Sequence, residues 1–298
     1  MSSPKAIFSV LLVLAVFLVP AGPPTVFAGP IGYSVQYMPG SGPQPPVGDH
    51  HLYAIDLATG VATDRGLVNA PGAGGLAFAG QNLYSISNNP SELWNITTPP
   101  GFKVGDSPRL PGRAGLDFNP VDNKMYNING YVGAPFSESY SVLYTIDLAT
   151  GAATQIGGQT FGIAVEGLAI NRSGAAYAAQ AVGPLGAALY RVDLGTGALS
   201  LVGSFSTITH GASGLAFDDS GTLWLLSSDR GHDYSEIYTM NLDTGAATWI
   251  ANVHLADGTP QGYFPGLAIN PVPVPGTLLL LGSGLLALAG WGRKKAAK

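Results

Sequence analysis

Apolar and polar positions alternate along the chain in short runs that end at glycine or proline. In residues 236–242 the apolar Tyr238, Met240 and Leu242 are spaced by polar neighbours, the period of a strand that buries one face. That run belongs to a set. Tyr53-Ala-Ile-Asp-Leu-Ala-Thr-Gly60 returns as Tyr144-Thr-Ile-Asp-Leu-Ala-Thr-Gly151 and as Tyr190-Arg-Val-Asp-Leu-Gly-Thr-Gly197. It returns again as Tyr238-Thr-Met-Asn-Leu-Asp-Thr-Gly245, and a decayed copy occupies residues 93–97. A second motif interleaves: Gly75-Leu-Ala-Phe78, Gly115-Leu-Asp-Phe118, Gly167-Leu-Ala-Ile170, Gly214-Leu-Ala-Phe217 and Gly266-Leu-Ala-Ile269. Its starts lie 40, 52, 47 and 52 residues apart, the span of a four-stranded propeller blade.

Each unit reads as four strands, a to d. In the fourth full unit, a begins at residues 215–217, b covers 222–226, c covers 236–242 and d covers 246–250. The Asp-Leu-x-Thr-Gly corner between c and d is a hairpin: Asp or Asn folds back on the backbone and Gly takes a positive φ. Four complete units run from Gly75 to about Val253, leaving a lone strand a at residues 267–270. At the other end, residues 31–37, 51–57 and 61–67 fit strands b, c and d. Joined, the two ends complete a fifth blade and leave no long unprotected sheet edge. The expected fold is all-β, a five-bladed β-propeller over residues 29–270 closed by its N- and C-terminal strands.

Both tails read as addresses. Residues 1–28 form a secretory signal, with Lys5 at the front, an apolar stretch over 7–19 and a break at 20–24. Val26-Phe27-Ala28 places cleavage after Ala28, and a mostly apolar run of thirteen residues is too short for a membrane span. At the other end, Pro271-Val272-Pro273-Val274-Pro275-Gly276 is stiff and extended, because proline fixes φ. Sixteen uncharged residues, 277–292, precede Arg293, Lys294, Lys295 and Lys298. As a helix this segment is about 24 Å long, short of the ~30 Å bilayer core unless the basic ends snorkel. The basic cluster is expected to stay cytoplasmic.

Residues 271–298 closely resemble the PEP-CTERM sorting domain of Gram-negative bacteria. Pro273, Pro275, the apolar run from Gly276 to Leu286 and the basic cluster carry the likeness, and Val274 stands where the family usually has Glu. The resemblance implies recognition by an exosortase, a membrane transpeptidase-like enzyme, in organisms that make exopolysaccharide. It also implies inner-membrane anchorage before processing, then a cell-surface or extracellular location.

Composition fits this outline. Glycine (42) and proline (23) make up 65 of 298 residues, which argues against a helical bundle. Cysteine is absent, removing disulfides, thiolate chemistry and Cys-type metal sites. Net charge is −5, and without the five cationic residues of the tails 8 cations face 18 acids, about −10. Such a surface repels nucleic acid and anionic lipid.

Topology puts the d-to-a and b-to-c connections on one face, where long variable connections favour binding. Arg113, Glu166, His210 and Tyr263 sit just before inner strands, and a funnel offering them could hold a small polar ligand or a sugar. Alternatively they satisfy water and neighbouring backbone. Asp49-His50-His51 and Arg230 with His232-Asp233-Tyr234 lack a third ligand, so no metal site is assigned. No cofactor motif or nucleophile elbow occurs. A glycosidase needs two spaced carboxylates, and Glu166 with Asp117 is the pair on offer. The reading is a non-catalytic binding module that meets a polysaccharide or surface protein. The alternative is a propeller hydrolase or lyase acting on polysaccharide from the funnel.

Overall fold

The computed structural model describes residues 29–36, 50–70, 73–88, 91–106, 113–180, 186–205, 211–228 and 234–270. The secretory signal and the sorting tail lie outside these residues. Among the described residues no helix is long and apolar enough to cross a membrane.

Among the described residues twenty strands make five sheets of four. The first three are β1 (Ile31–Gln36), β2 (His50–Asp56) and β3 (Ala62–Val68). The next sheet comprises β4 (Ala73–Ala79), β5 (Asn82–Asn88), β6 (Ser91–Asn95) and β7 (Phe102–Asp106). Then come β8 (Arg113–Asn119), β9 (Lys124–Tyr131), β10 (Tyr140–Ile146) and β11 (Ala153–Phe161). The fourth sheet is β12 (Val165–Ile170), β13 (Ala176–Gln180), β14 (Ala188–Val192) and β15 (Leu199–Ser204). The fifth is β16 (Ala212–Phe217), β17 (Leu223–Ser227), β18 (Glu236–Met240) and β19 (Ala247–Asn252). The last strand, β20 (Ala268–Ile269), joins the first sheet in the order β20-β1-β2-β3.

The expected closure is therefore present. Tyr33 pairs with Ala268 and Gly32 with Ile269. The Ser34 hydroxyl donates to the Gly266 carbonyl at 2.5 Å, and Gln36 Nε2 donates to Gln261 Oε1 at 2.9 Å and to the Gly262 carbonyl at 3.1 Å. The inner strands β4, β8, β12, β16 and β20 neighbour one another in a closed circle. Five apolar clusters fill the seams, each drawing residues from two adjacent blades, for example Tyr177 and Leu189 with Leu215 and Tyr238. Burying each such side chain is worth about 1.5–3 kcal/mol, so the seams hold the ring together.

The repeat motifs have separate physical jobs. In the c-to-d corner, one side-chain oxygen of Asp56, Asp147, Asp193 or Asn241 accepts two backbone N–H bonds at 2.8–3.2 Å. Gly60, Gly151, Gly197 and Gly245 close the corners at φ of 71–80°. The preceding threonines then dock on the neighbouring blade: a Cβ on Gly105, Gly157 or Gly203 would strike the carbonyl of Thr150, Thr196 or Thr244. The Gly-Leu motif works at the axis. A Cβ on Gly115 would strike the backbone of Gly167 and Leu168, and one on Gly214 that of Gly266 and Leu267. Glycine lets the inner strands converge, while Leu76, Leu116, Leu168, Leu215 and Leu267 are buried in the seams.

Candidate functional site

The inner strands start at the face carrying the d-to-a and b-to-c connections, here the upper face, and end at the lower one. Glu166, in β12, is buried near the upper mouth. Arg113 opens β8 opposite Gly130, and His210 lies outside the described residues. Tyr263 takes a left-handed backbone at φ 56°, a conformation disfavoured for a bulky residue. This turn sends Phe264 into the core against Tyr53, with ring centroids 5.5 Å apart, while the Phe264 N–H donates to Ser228 Oγ at 3.0 Å. The Tyr263 turn thus anchors the last connection before β20. Pro273, Val274 and Pro275 lie beyond the described residues. His50 and His51 open β2, where His51 Nδ1 meets Asp64 Oδ2 at 2.8 Å, and Arg230, His232 and Asp233 fall outside the described residues.

Sequence reasoning missed a polar ring at this upper level. Ser87, Asn129, Gln180 and Ser227 stand opposite Ala73, Ala114, Val165 and Ala212, and Gln36 ends β1, the corresponding strand of the closing blade. All five are buried. The signal was available as a polar residue near the end of each b strand, clearest in the otherwise apolar Leu223-Trp-Leu-Leu-Ser227.

The axis is pinched between the mouths. The Gly-Leu motifs of all five blades enclose a void of about 10 Å³, the space of roughly one water molecule. No sugar passes such a waist. Glu166 precedes it and Asp117 follows it. The Ile170 N–H donates to Asp117 Oδ2 at 2.5 Å, so Glu166 lies four residues back along β12, roughly 13 Å at strand rise. The two residues thus stem from backbone on opposite sides of the waist, whereas paired carboxylates that cleave a glycoside share one cavity.

Below the waist a cavity of about 290 Å³ opens among the lower ends of the inner strands. Phe78, Phe118, Ile170, Phe217 and Ile269, one per blade, supply its apolar lining. Two phenylalanines are held edge-on by tyrosines: Tyr33 sits 5.3 Å from Phe78 and Tyr177 5.8 Å from Phe217. Asp117 is the departure from the repeat, since the other four motifs carry alanine there. Its carboxyl also accepts the Phe118 N–H at 2.8 Å. Desolvation by burial pushes that carboxyl up to about 7, against the pull of both N–H donors. At the rim Arg172 pairs with Asp219 across two blades. Asp218 is engaged with Ser220, Thr222 and the Trp224 indole N–H at 2.6–3.0 Å.

Residues 271–294 match the family model of the PEP-CTERM protein-sorting motif. The match bears out the resemblance read from the prolines and basic end of the tail, here joined to a five-bladed propeller. That motif marks an exosortase-sorted extracellular protein. No curated protein matches the chain. Among solved structures, TolB from Acinetobacter baumannii is 16% identical over 75% of this chain and 53% of its own, with a TM-score of 0.44. A gluconolactonase, XC5397 from Xanthomonas campestris, is 14% identical over 72% and 74%, with a TM-score of 0.46. An exo-β-1,3-galactanase from Phanerochaete chrysosporium is 13% identical over 62% and 50%, also at 0.46. The chain thus spans about half the length of TolB and of the galactanase.

Proposed function

We propose that the propeller is a non-catalytic binding module, carried out of the cell and left at its surface or in the surrounding matrix once the tail is processed. The carrying observation is the waist: it separates Glu166 from Asp117, the one carboxylate pair that the sequence offered for hydrolysis. What remains is two mouths that can hold a partner. The upper one, framed by connections of uneven length, suits a polysaccharide or a surface protein.

One observation favours the catalytic alternative. Asp117 is poised near neutrality, where a general acid works best. The other acids lining its cavity are engaged: Asp218 receives four hydrogen bonds and Asp219 pairs with Arg172.

The test is a screen of the secreted protein against matrix polysaccharides and cell-surface proteins, reading retention and product release together. Retention without turnover is expected. Turnover that disappears in Glu166→Gln or Asp117→Asn would replace the binding reading with the hydrolase one. Mass spectrometry of the same material should find a start at Gly29 and an end near residues 273–275.

A further inference from the structure

We propose that the lower cavity binds a small organic cation, an ammonium group on a compact apolar body, with Asp117 as its counter-ion. The inference rests on the binding-module reading and names the ligand class of one mouth. The lining decides that class. Three phenylalanines contributed by three different blades, two of them fixed edge-on by tyrosines, present a preformed aromatic wall, and aromatic faces attract cations. Charge at the rim points the same way: the Arg172–Asp219 pair cancels, leaving Asp117 and Asp218 as uncompensated acids.

A neutral sugar fits poorly. Asp218 is spent on its own turn and Asp219 meets Arg172, so Asp117 is the lining carboxylate left for a ligand, and an apolar lining would leave most hydroxyls of a hexose unpaired. A single ammonium on an apolar body matches one carboxylate in an aromatic cup. Asp117 also breaks the repeat where alanine packs without cost in the other blades, so the seam itself does not require an acid there.

Protonation governs the site. With its carboxyl raised to about 7, Asp117 is half neutral near pH 7 and becomes a full counter-ion above it. The charged or titratable groups around it are few. The β8–β9 hairpin carries Asp122, Lys124 and Tyr126, with the Tyr126 hydroxyl donating to Asp122 at 2.6 Å. Arg172 follows β12, whose far end holds Glu166, and Asp218 and Asp219 follow β16; Tyr84 lies on β5, while β4 and β20 bring none.

The experiment is calorimetric titration of the purified full chain with phenethylammonium chloride and with neutral 2-phenylethanol, at pH 5.5 and pH 8. The cation should bind more than about tenfold tighter at pH 8, and that gain should vanish in Asp117→Ala. Arg172→Ala, an exposed change that removes a positive charge from the rim, should tighten cation binding further. Equal affinity for alcohol and cation, an unchanged Asp117→Ala, or weaker binding in Arg172→Ala overturns the proposal. Failure of the cation while the chain still retains a matrix partner removes this ligand class and leaves the module reading standing. Turnover in the screen would remove the module reading alone.

Discussion

Asp117 should make the stability of this propeller depend on pH in an unusual direction. Its carboxyl moves from 3.8 in the unfolded chain to about 7 in the fold, because burial disfavours the charged form. The folded state therefore holds this proton more tightly than the unfolded one. The resulting stabilisation is complete below pH 3.8, declines as pH rises towards 7 and is gone above it. The shift is about 3 pH units, and at 1.36 kcal/mol per unit it corresponds to on the order of 4 kcal/mol. Other carboxylates act in the opposite sense: backbone N–H bonds hold Asp147, Asp193 and Asp257 below their ordinary range. The difference between wild type and Asp117→Ala removes those shared terms. Alanine occupies this place in the other four blades, so the variant should fold, with a constant cost for the lost bonds to Ile170 and Phe118. Urea unfolding of both proteins at intervals from pH 4.5 to pH 8.5 should show the stability of the wild type falling relative to the variant. The slope should approach 1.4 kcal/mol per pH unit inside the window and flatten above it. Two parallel profiles would refute the reasoning, since they would mean that the carboxyl is already ionised in the fold at pH 4.5.

Two further outcomes test the ring itself. Gly214→Ala places a methyl group against the Gly266–Leu267 backbone and should cost about 1–3 kcal/mol in denaturant unfolding. Gly158→Ala, with open space around it, should stay within about 0.5 kcal/mol of wild type; equal effects would mean that the inner strands are not in contact. Ending the chain at Asn270 should leave the Tm unchanged, whereas ending it at Phe264 removes β20, uncovers β1 and should lower the Tm by many degrees. Identical melting of the two truncations would argue against mixed-terminus closure.

The fold was legible because a repeat multiplies weak signals. One Tyr-x-Ile-Asp-Leu run is a modest strand prediction, but four copies interleaved with five Gly-Leu motifs fix the number of blades and the identity of each inner strand. Strand ends moved by two or three residues: β16 begins at Ala212 rather than Leu215, and β18 stops at Met240 rather than Leu242. The first shift reflects a bulge between Ala212 and Gly214, which lengthens pairing without any change in apolar pattern. The site was less legible. Attention went to the upper mouth because long connections announce themselves in a sequence, whereas the lower cavity is built from the ends of inner strands and short turns. Asp117 was read only as a carboxylate that could accompany Glu166, because its place on the other side of the waist depends on strand direction in three dimensions. The Thr-Gly corners looked like turn chemistry alone, and their docking on Gly105, Gly157 and Gly203 joins residues about 40 positions apart.

Chain direction gives the two mouths different circumstances. Inner strands run from the upper face to the lower one, so β20 delivers the chain to the lower rim, where Ile269 lines the cavity and Asn270 leads into the sorting motif. Strand β1, antiparallel to β20, begins at that same rim. Both ends of the propeller therefore emerge beside the aromatic cup. If the cup holds its ligand, that ligand enters at the face where Asn270 leads into the sorting motif, whereas a partner for the upper connections meets the opposite end of the ring. Removal of the tail is therefore expected to change affinity at the cup and to leave binding at the upper connections unchanged; equal effects on both would refute that placement.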